Sequence, residues 1–218
     1  MIAEPLTIDI ISDVMCPWCY IGKRRLEQAL ELEPNMNVEI NWRPFQLDAT
    51  IPANGMSRQE YLSKKFGSEE DARQIYSQIE EAGEVEGLAF AFDLIEKSPN
   101  TLNAHRLIRW SKTTGHQGPL VEKLFKLFFM EGADIGNKAV LSDAAEEIGM
   151  DRDVVERLLD GDSDMKEVKD EITHAQTIGV TGVPCFIIDQ KYAIMGAQQP
   201  ETLVQALQQA LAERDADT

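Results

Sequence analysis

The sequence predicts an α/β fold interrupted by a large all-helical lobe. Three observations lead to this. The chain opens with a β-α-β pattern that runs to about Arg43. From about Asp48 to Asp162 nearly every segment instead carries helical periodicity. From Met165 onward, helix, strand, strand and helix follow one another again. The chain therefore divides into a discontinuous α/β domain, residues 1–47 and 163–218, and an inserted helical domain, residues 48–162.

Each element has its own reason. Leu6 to Ile11 is an apolar run that suits a buried first strand, and Pro17 to about Glu31 is an amphipathic helix. Gly22 inside that helix predicts close packing. Pro34-Asn35 is a turn. Val38 to Arg43 alternates apolar and polar residues as a second strand, and a β-α-β crossover implies that the two strands are parallel.

In the lobe, Ser57 is placed to cap Arg58–Phe66, and Ser68-Glu69-Glu70-Asp71 opens a helix to about Gly83 with acidic residues at its positive end. Leu88–Phe92 is too short to assign. Helices are expected to start at Asn100-Thr101, Gly118-Pro119, Leu141-Ser142-Asp143 and Asp151. After the lobe, Met165–Ile178 reads as helix and Thr181-Gly182-Val183-Pro184 as a turn. Cys185–Asp189 and Tyr192–Met195 read as a hairpin, and Glu201–Ala212 as a last helix, with fraying expected from Asp215.

Composition narrows the function. With 218 residues, 43% hydrophobic and 27% charged, the chain can build an ordinary globular core. Its formal net charge of -17 opposes binding to nucleic acid and to anionic membrane surfaces. There is no apolar run of the ~20 residues that a membrane span needs. Met1-Ile2-Ala3-Glu4-Pro5 lacks the basic start of an export signal, so a cytoplasmic location is expected. Three cysteines are too few for a disulfide scaffold.

The chemistry is concentrated in Cys16-Pro17-Trp18-Cys19, at the junction of the first strand and first helix. Positions i and i+3 share a helical face, so the two sulfurs can meet. Pro17 suits the first helical position, which leaves Cys16 as the N-cap beside unpaired backbone N–H groups. A thiolate is stabilised there, so the pKa of Cys16 is expected to fall below the ~8.5 of a free cysteine, with Cys16 an exposed nucleophile. Cys19, inside the helix, is then the more buried, resolving thiol. A structural zinc site needs four ligands, and no second C-x-x-C exists, so no metal is expected. A purely structural disulfide would close too short a loop to restrict the unfolded chain much.

These residues, in this order, carry a resemblance. Cys16 to Arg25 resembles the opening of the DsbA-like thioredoxin-fold family, in particular its FrnE-like branch. Thr181-Gly182-Val183-Pro184 resembles that family's cis-proline loop. Asn100-Thr101 with Ala104-His105-Arg106, Gly196-Ala197-Gln198 and the helical insertion also resemble this branch. The resemblance implies a thioredoxin-like fold and thiol–disulfide exchange through a mixed disulfide on Cys16, resolved by Cys19. It further implies a cis Val183–Pro184 bond with Val183 presenting backbone to an extended substrate, and it favours His105 facing the substrate cleft; Trp18, from its place between the cysteines, reads as part of the substrate surface. No bound cofactor is implied. The expected partners are thiol or disulfide proteins and low-molecular-weight thiols, glutathione among them. Relatives of the 2-hydroxychromene-2-carboxylate isomerase and kappa-class transferase type offer an alternative, but they typically carry serine at the position of Cys16 and lack the second cysteine. A chaperone-like peptide binder is a second alternative.

Several residues keep two readings. Cys185 stands where the family usually has an aromatic or aliphatic residue. It is either a small core residue or a third redox thiol, and strand alternation predicts that it points away from Cys16. His105 either hydrogen-bonds inside the lobe or faces the cleft. Asp13 either shapes the turn or carries the proton leaving Cys19. Lys23, Arg24 and Arg25 either pair with acidic neighbours or receive a glutathione carboxylate. His116 and His174 read as solvated or structural.

Overall fold

In the computed structural model, which describes residues 4–216, the apolar N-terminal run forms β1 (Leu6–Ser12). Then come α1 (Pro17–Leu32), β2 (Val38–Pro44), β3 (Met56–Ser57), α2 (Arg58–Phe66) and α3 (Glu69–Val85). A short 3-10 turn at Phe92–Leu94 precedes β4 (Lys97–Ser98), α4 (Leu102–Thr113), α5 (Gln117–Phe129), α6 (Lys138–Glu147) and α7 (Arg152–Asp160). The chain closes with α8 (Met165–Thr177), β5 (Cys185–Ile188), β6 (Tyr192–Met195) and α9 (Pro200–Ala216).

The main sheet has the order β2-β1-β5-β6. As the crossover predicts, β1 and β2 are parallel; β5 runs antiparallel to both β1 and β6. Strand alternation gives the sheet two different faces. Leu6, Ile8 and Ile10 join Ile21 and Leu26 of α1 and Leu203 and Leu207 of α9 in the main core. Ile11 faces the other way, into a smaller apolar cluster with Phe45, Ala175, Val180 and Cys185.

Between the two sheet segments lie the helices of the lobe. Side-chain caps start four of them: Ser57 accepts from the Glu60 N–H, Ser68 from Asp71, Asn137 from Ala139 and Asp151 from Val154. Each cap contributes about 1 kcal/mol. Asn137 starts α6 one turn earlier than Leu141, where the hydrophobic pattern alone places it. Leu88–Ala91 has no regular structure, and β3 and β4 form a two-residue antiparallel ladder too short to leave a period in the sequence. The expected fraying from Asp215 falls at the edge of the described residues; the helix is described to Ala216, and residues 217 and 218 lie outside.

Lobe and sheet share one core. Phe125 of α5 stacks on Tyr20 of α1 with ring centroids 4.9 Å apart and meets Trp42 of β2 edge-on. At the rim of the sheet, Gln117 takes the place of a missing strand: its Oε1 accepts the Trp42 N–H at 2.9 Å and its Nε2 donates to the Trp42 carbonyl at 3.2 Å. Arg106, fully buried, donates to the carbonyls of Leu158, Gly161 and Ser163, which ties α4 to the end of α7. Among the described residues no helix is long and apolar enough to cross a membrane.

Candidate dithiol site

The turn between β1 and α1 is built on Asp13. Its carbonyl accepts the Cys16 N–H at 2.9 Å, and its carboxylate Oδ2 accepts the Leu47 N–H at 2.8 Å. Asp13 is fully buried, and its carboxylate is committed to shaping this turn. Cys16 follows as the N-cap of α1, with extended backbone (φ -96, ψ 112), and Pro17 is the first helical residue. The Cys16 carbonyl accepts the Cys19 N–H at 3.0 Å, so the two cysteines sit on adjoining levels of one turn.

Both thiols are free and both are buried, Cys19 at 0% exposure and Cys16 at 3%. The expected exposed position of Cys16 is thus corrected: tertiary packing covers it. Its Sγ donates to the Val183 carbonyl at 3.6 Å. Tyr61 of α2 is also buried; burial raises the pKa of its hydroxyl, the charge of Arg58 opposes this, and the charges of Asp13, Asp48 and Cys16 add to it. Trp18, between the two cysteines, is 38% exposed.

Burial drives the Cys19 thiol well above the ordinary cysteine pKa, and the hydrogen bond and charge of Cys16 push it further the same way. The Ser12 hydroxyl and the Asp13 backbone oppose this rise.

The Val183–Pro184 peptide is cis. Pro184 packs on α1 at Gly22, where an added Cβ would come 2.9 Å from Pro184 Cγ and 3.2 Å from Phe186 Cζ. Only glycine lets the two segments approach this closely. The Pro184 carbonyl accepts the Gly196 N–H at 2.8 Å, which anchors the loop to the end of β6.

His105 is buried, 2.8 Å from the Phe45 carbonyl through Nε2 and 3.4 Å from Asp13 Oδ1. It supports the turn from the interior and does not lie on an open substrate surface. The three cations of α1 all have partners. Lys23 meets Glu27 and Glu122, Arg24 meets the same two carboxylates, and Arg25 pairs with buried Glu86 at 2.6 Å. Burial works against ionising Glu122, but Lys23, Tyr20 and Arg24 outweigh it and hold its carboxyl below the usual range. His116 bonds to Thr114 at 2.9 Å, and His174 is exposed. Among the described residues no three His, Cys, Asp or Glu side chains converge as a metal site.

Sequence reasoning missed Tyr61, Ser12, Glu86 and Glu122. Glu86 and Glu122 find their partners 61 and 98 residues away, a distance no local pattern signals.

A family model described as a DSBA-like thioredoxin domain matches residues 7–208. The chain belongs to the DSBA-like thioredoxin family. Membership places it, at family level, among thiol–disulfide oxidoreductases. Among solved structures, the probable DsbA oxidoreductase SCO1869 from Streptomyces coelicolor is similar with a TM-score of 0.86 and 30% identity, over 95% of this chain and 91% of that one. The cytosolic disulfide reductase DsbM from Pseudomonas aeruginosa, solved with GSH, shares the fold at a TM-score of 0.61 and 14% identity, over 97% and 98% of the two chains. Among curated proteins, the uncharacterized protein YwbO of Bacillus subtilis (strain 168) is 26% identical over 83% of this chain and 86% of its own length.

Proposed function

We propose that this DSBA-like chain is a FrnE-like dithiol oxidoreductase of the cytoplasm. Cys16 Sγ attacks one sulfur of a substrate disulfide and forms a mixed disulfide, releasing the other substrate sulfur as a thiolate. Cys19 then attacks Cys16 Sγ, releasing the second substrate thiolate and leaving a Cys16–Cys19 disulfide; a reducing thiol reverses the sequence. The observation that carries this reading is the placement of Cys16 on the N-cap with Cys19 one turn inside, their sulfurs close enough to interact.

Burial of Cys16 bears on the substrate. A cysteine exposed by only 3% is reached by a small disulfide or a flexible extended segment, not by the face of a folded protein. Half-buried Val183 and exposed Trp18 are the groups beside it that such a segment would meet. The glutathione isomerase or transferase reading fits less well, since both cysteines are present and the three cations of α1 are already paired.

The test is thiol–disulfide exchange with a fluorescent peptide disulfide. Cys16→Ser should abolish exchange, and Cys19→Ser should accumulate mixed disulfides on Cys16. A double serine variant that keeps full activity in preventing aggregation of unfolded chains, from a parent with no exchange activity, would instead identify a chaperone-like binder.

A further inference from the structure

Resolution of the mixed disulfide requires Cys19 to lose a proton, and its surroundings resist that. The thiol has no contact with solvent, and the Asp13 carboxylate is taken up by the turn. The residue at the end of β1 offers a way out. Ser12 is 4% exposed and shares the α1 side of the sheet with Ile8 and Ile10. Its hydroxyl favours the Cys19 thiolate, yet at rest its Oγ makes no hydrogen bond to any described residue, Cys19 included. A buried hydroxyl left unpaired costs about 1–3 kcal/mol, so it needs an explanation.

Ser12 lines one small cavity, and a second shares part of that cavity's wall. The first, about 10 Å³, is lined by Ser12, Val14, Trp42, Arg43, His105, Ile108 and Val121, and has the size and polar lining for one water. The second, about 40 Å³, shares Trp42, Arg43, His105 and Ile108 with the first. It also reaches Arg109, Lys112 and Glu171, which contact solvent. His105 borders both. Its Nε2 hydrogen points to the Phe45 carbonyl, so in the neutral ring Nδ1 is the nitrogen that accepts.

We propose that Ser12 closes onto the Cys19 thiol in the resolving step and relays its proton through the His105-lined cavities to solvent. This rests on the dithiol reading above. As Cys19 Sγ bonds to Cys16 Sγ, the substrate sulfur departs as thiolate. The Cys19 proton passes to Ser12 Oγ, and the Ser12 proton passes to water in the first cavity and on to solvent. No oxidant beyond the substrate disulfide is needed.

The test uses 5,5′-dithiobis(2-nitrobenzoate) on the reduced full-length protein in a stopped-flow instrument. Attack by Cys16 releases a first nitrothiobenzoate anion, and attack by Cys19 releases a second, so the two steps are read separately. Ser12→Ala should slow the second release by at least about tenfold and leave the first unchanged, and Ser12→Thr, which restores a hydroxyl, should recover most of the rate. Val121→Ile, which fills the first cavity and keeps Ser12, should also slow only the second release. An unchanged second phase in Ser12→Ala or Val121→Ile, or a Ser12→Thr as slow as Ser12→Ala, overturns the relay. A wild-type protein with no second phase would overturn the dithiol reading itself, and the relay with it.

Discussion

The two faces of the sheet carry three thiols and treat them differently. On the α1 face, Cys16 and Cys19 are packed among Ile10, Val14 and Tyr20 in the main core. On the α8 face, Cys185 sits with Ile11, Phe45, Ala175 and Val180. Cys185 directly follows Pro184, and its register partner Ile11 is only five residues before Cys16, so it is close to the pair along the backbone. What separates it is direction. One step along a strand reverses the side chain, and a disulfide needs converging Cβ vectors as well as short Cα distances. The faces also differ in openness. The redox pair is sealed, whereas a surface groove of about 760 Å³ runs between α8 and β6, with Cys185 in its wall and exposed Met195 nearby. Cys185 is nevertheless 0% exposed, so direction, not access for water, separates it from the pair.

The largest expected effect tests that separation directly. Cys19→Ala should lower disulfide turnover by more than about 100-fold, while Cys185→Ala should change it by less than about twofold. Mild oxidation followed by non-reducing peptide mapping should give a Cys16–Cys19 link alone. A substantial link from Cys185 to either cysteine would break the comparison and make the site a three-thiol relay.

Next in size is Gly22→Ala. The new methyl would press on Pro184 and Phe186, and overpacking of this kind costs about 1–3 kcal/mol. Denaturant unfolding should show that loss, and exchange should slow as Val183 moves from Cys16. A variant as stable and active as the parent would mean that the loop is less tightly held than the contact implies.

A smaller effect comes from pH. Burial raises the pKa values of Cys19 and Cys185 in the folded protein. Above the ordinary cysteine value of about 8.5, the unfolded chain loses protons that the folded protein retains. The unfolded state is favoured by that difference, so reduced protein should lose stability as pH rises from about 8.5. Burial raises Tyr20, Tyr61 and Tyr76 as well, and their share should follow from about pH 10. Linking Cys16 to Cys19 removes the Cys19 part and leaves that of Cys185. Melting temperatures of reduced and oxidised protein against pH should therefore diverge above pH 8.5, and parallel curves would contradict the assignment.

The smallest effect concerns Cys185 as packing. Cys185→Ala removes one buried sulfur and should cost about 1 kcal/mol in denaturant unfolding, with no gain or loss of free-thiol reactivity in the native state. A much larger loss would mean that the α8 face supports the site more than its small cluster indicates.

What the sequence reveals and what it hides follow one physical line. The helix start at Cys16-Pro17, the caps at Ser57 and Asp151, the parallel β1–β2 pair and the inward turn of Cys185 depend on residues within a few positions or on simple strand alternation. All are legible. Cys16 hydrogen-bonds to Val183, 167 residues along the chain, and no local period announces its burial. The same holds for Lys23, Arg24 and Arg25. Their positive charge near the positive end of a helix becomes intelligible only when Glu86 and Glu122 arrive from the lobe. His105 could be read either inward or outward from its helical face, and the Phe45 carbonyl decides for inward.

Gln117 has a consequence that extends past the single molecule. The outer rim of β2 would otherwise offer its peptide groups to any neighbouring chain, and such rims are where proteins stick to one another and grow into fibres. One primary amide, by shaking hands with both the N–H and the carbonyl of Trp42, closes that template at its apolar end. Gln117 covers this one position of the rim, and α4 and α8 also pack against β2. Loosening of the lobe is therefore expected to expose these peptide groups and to favour self-association.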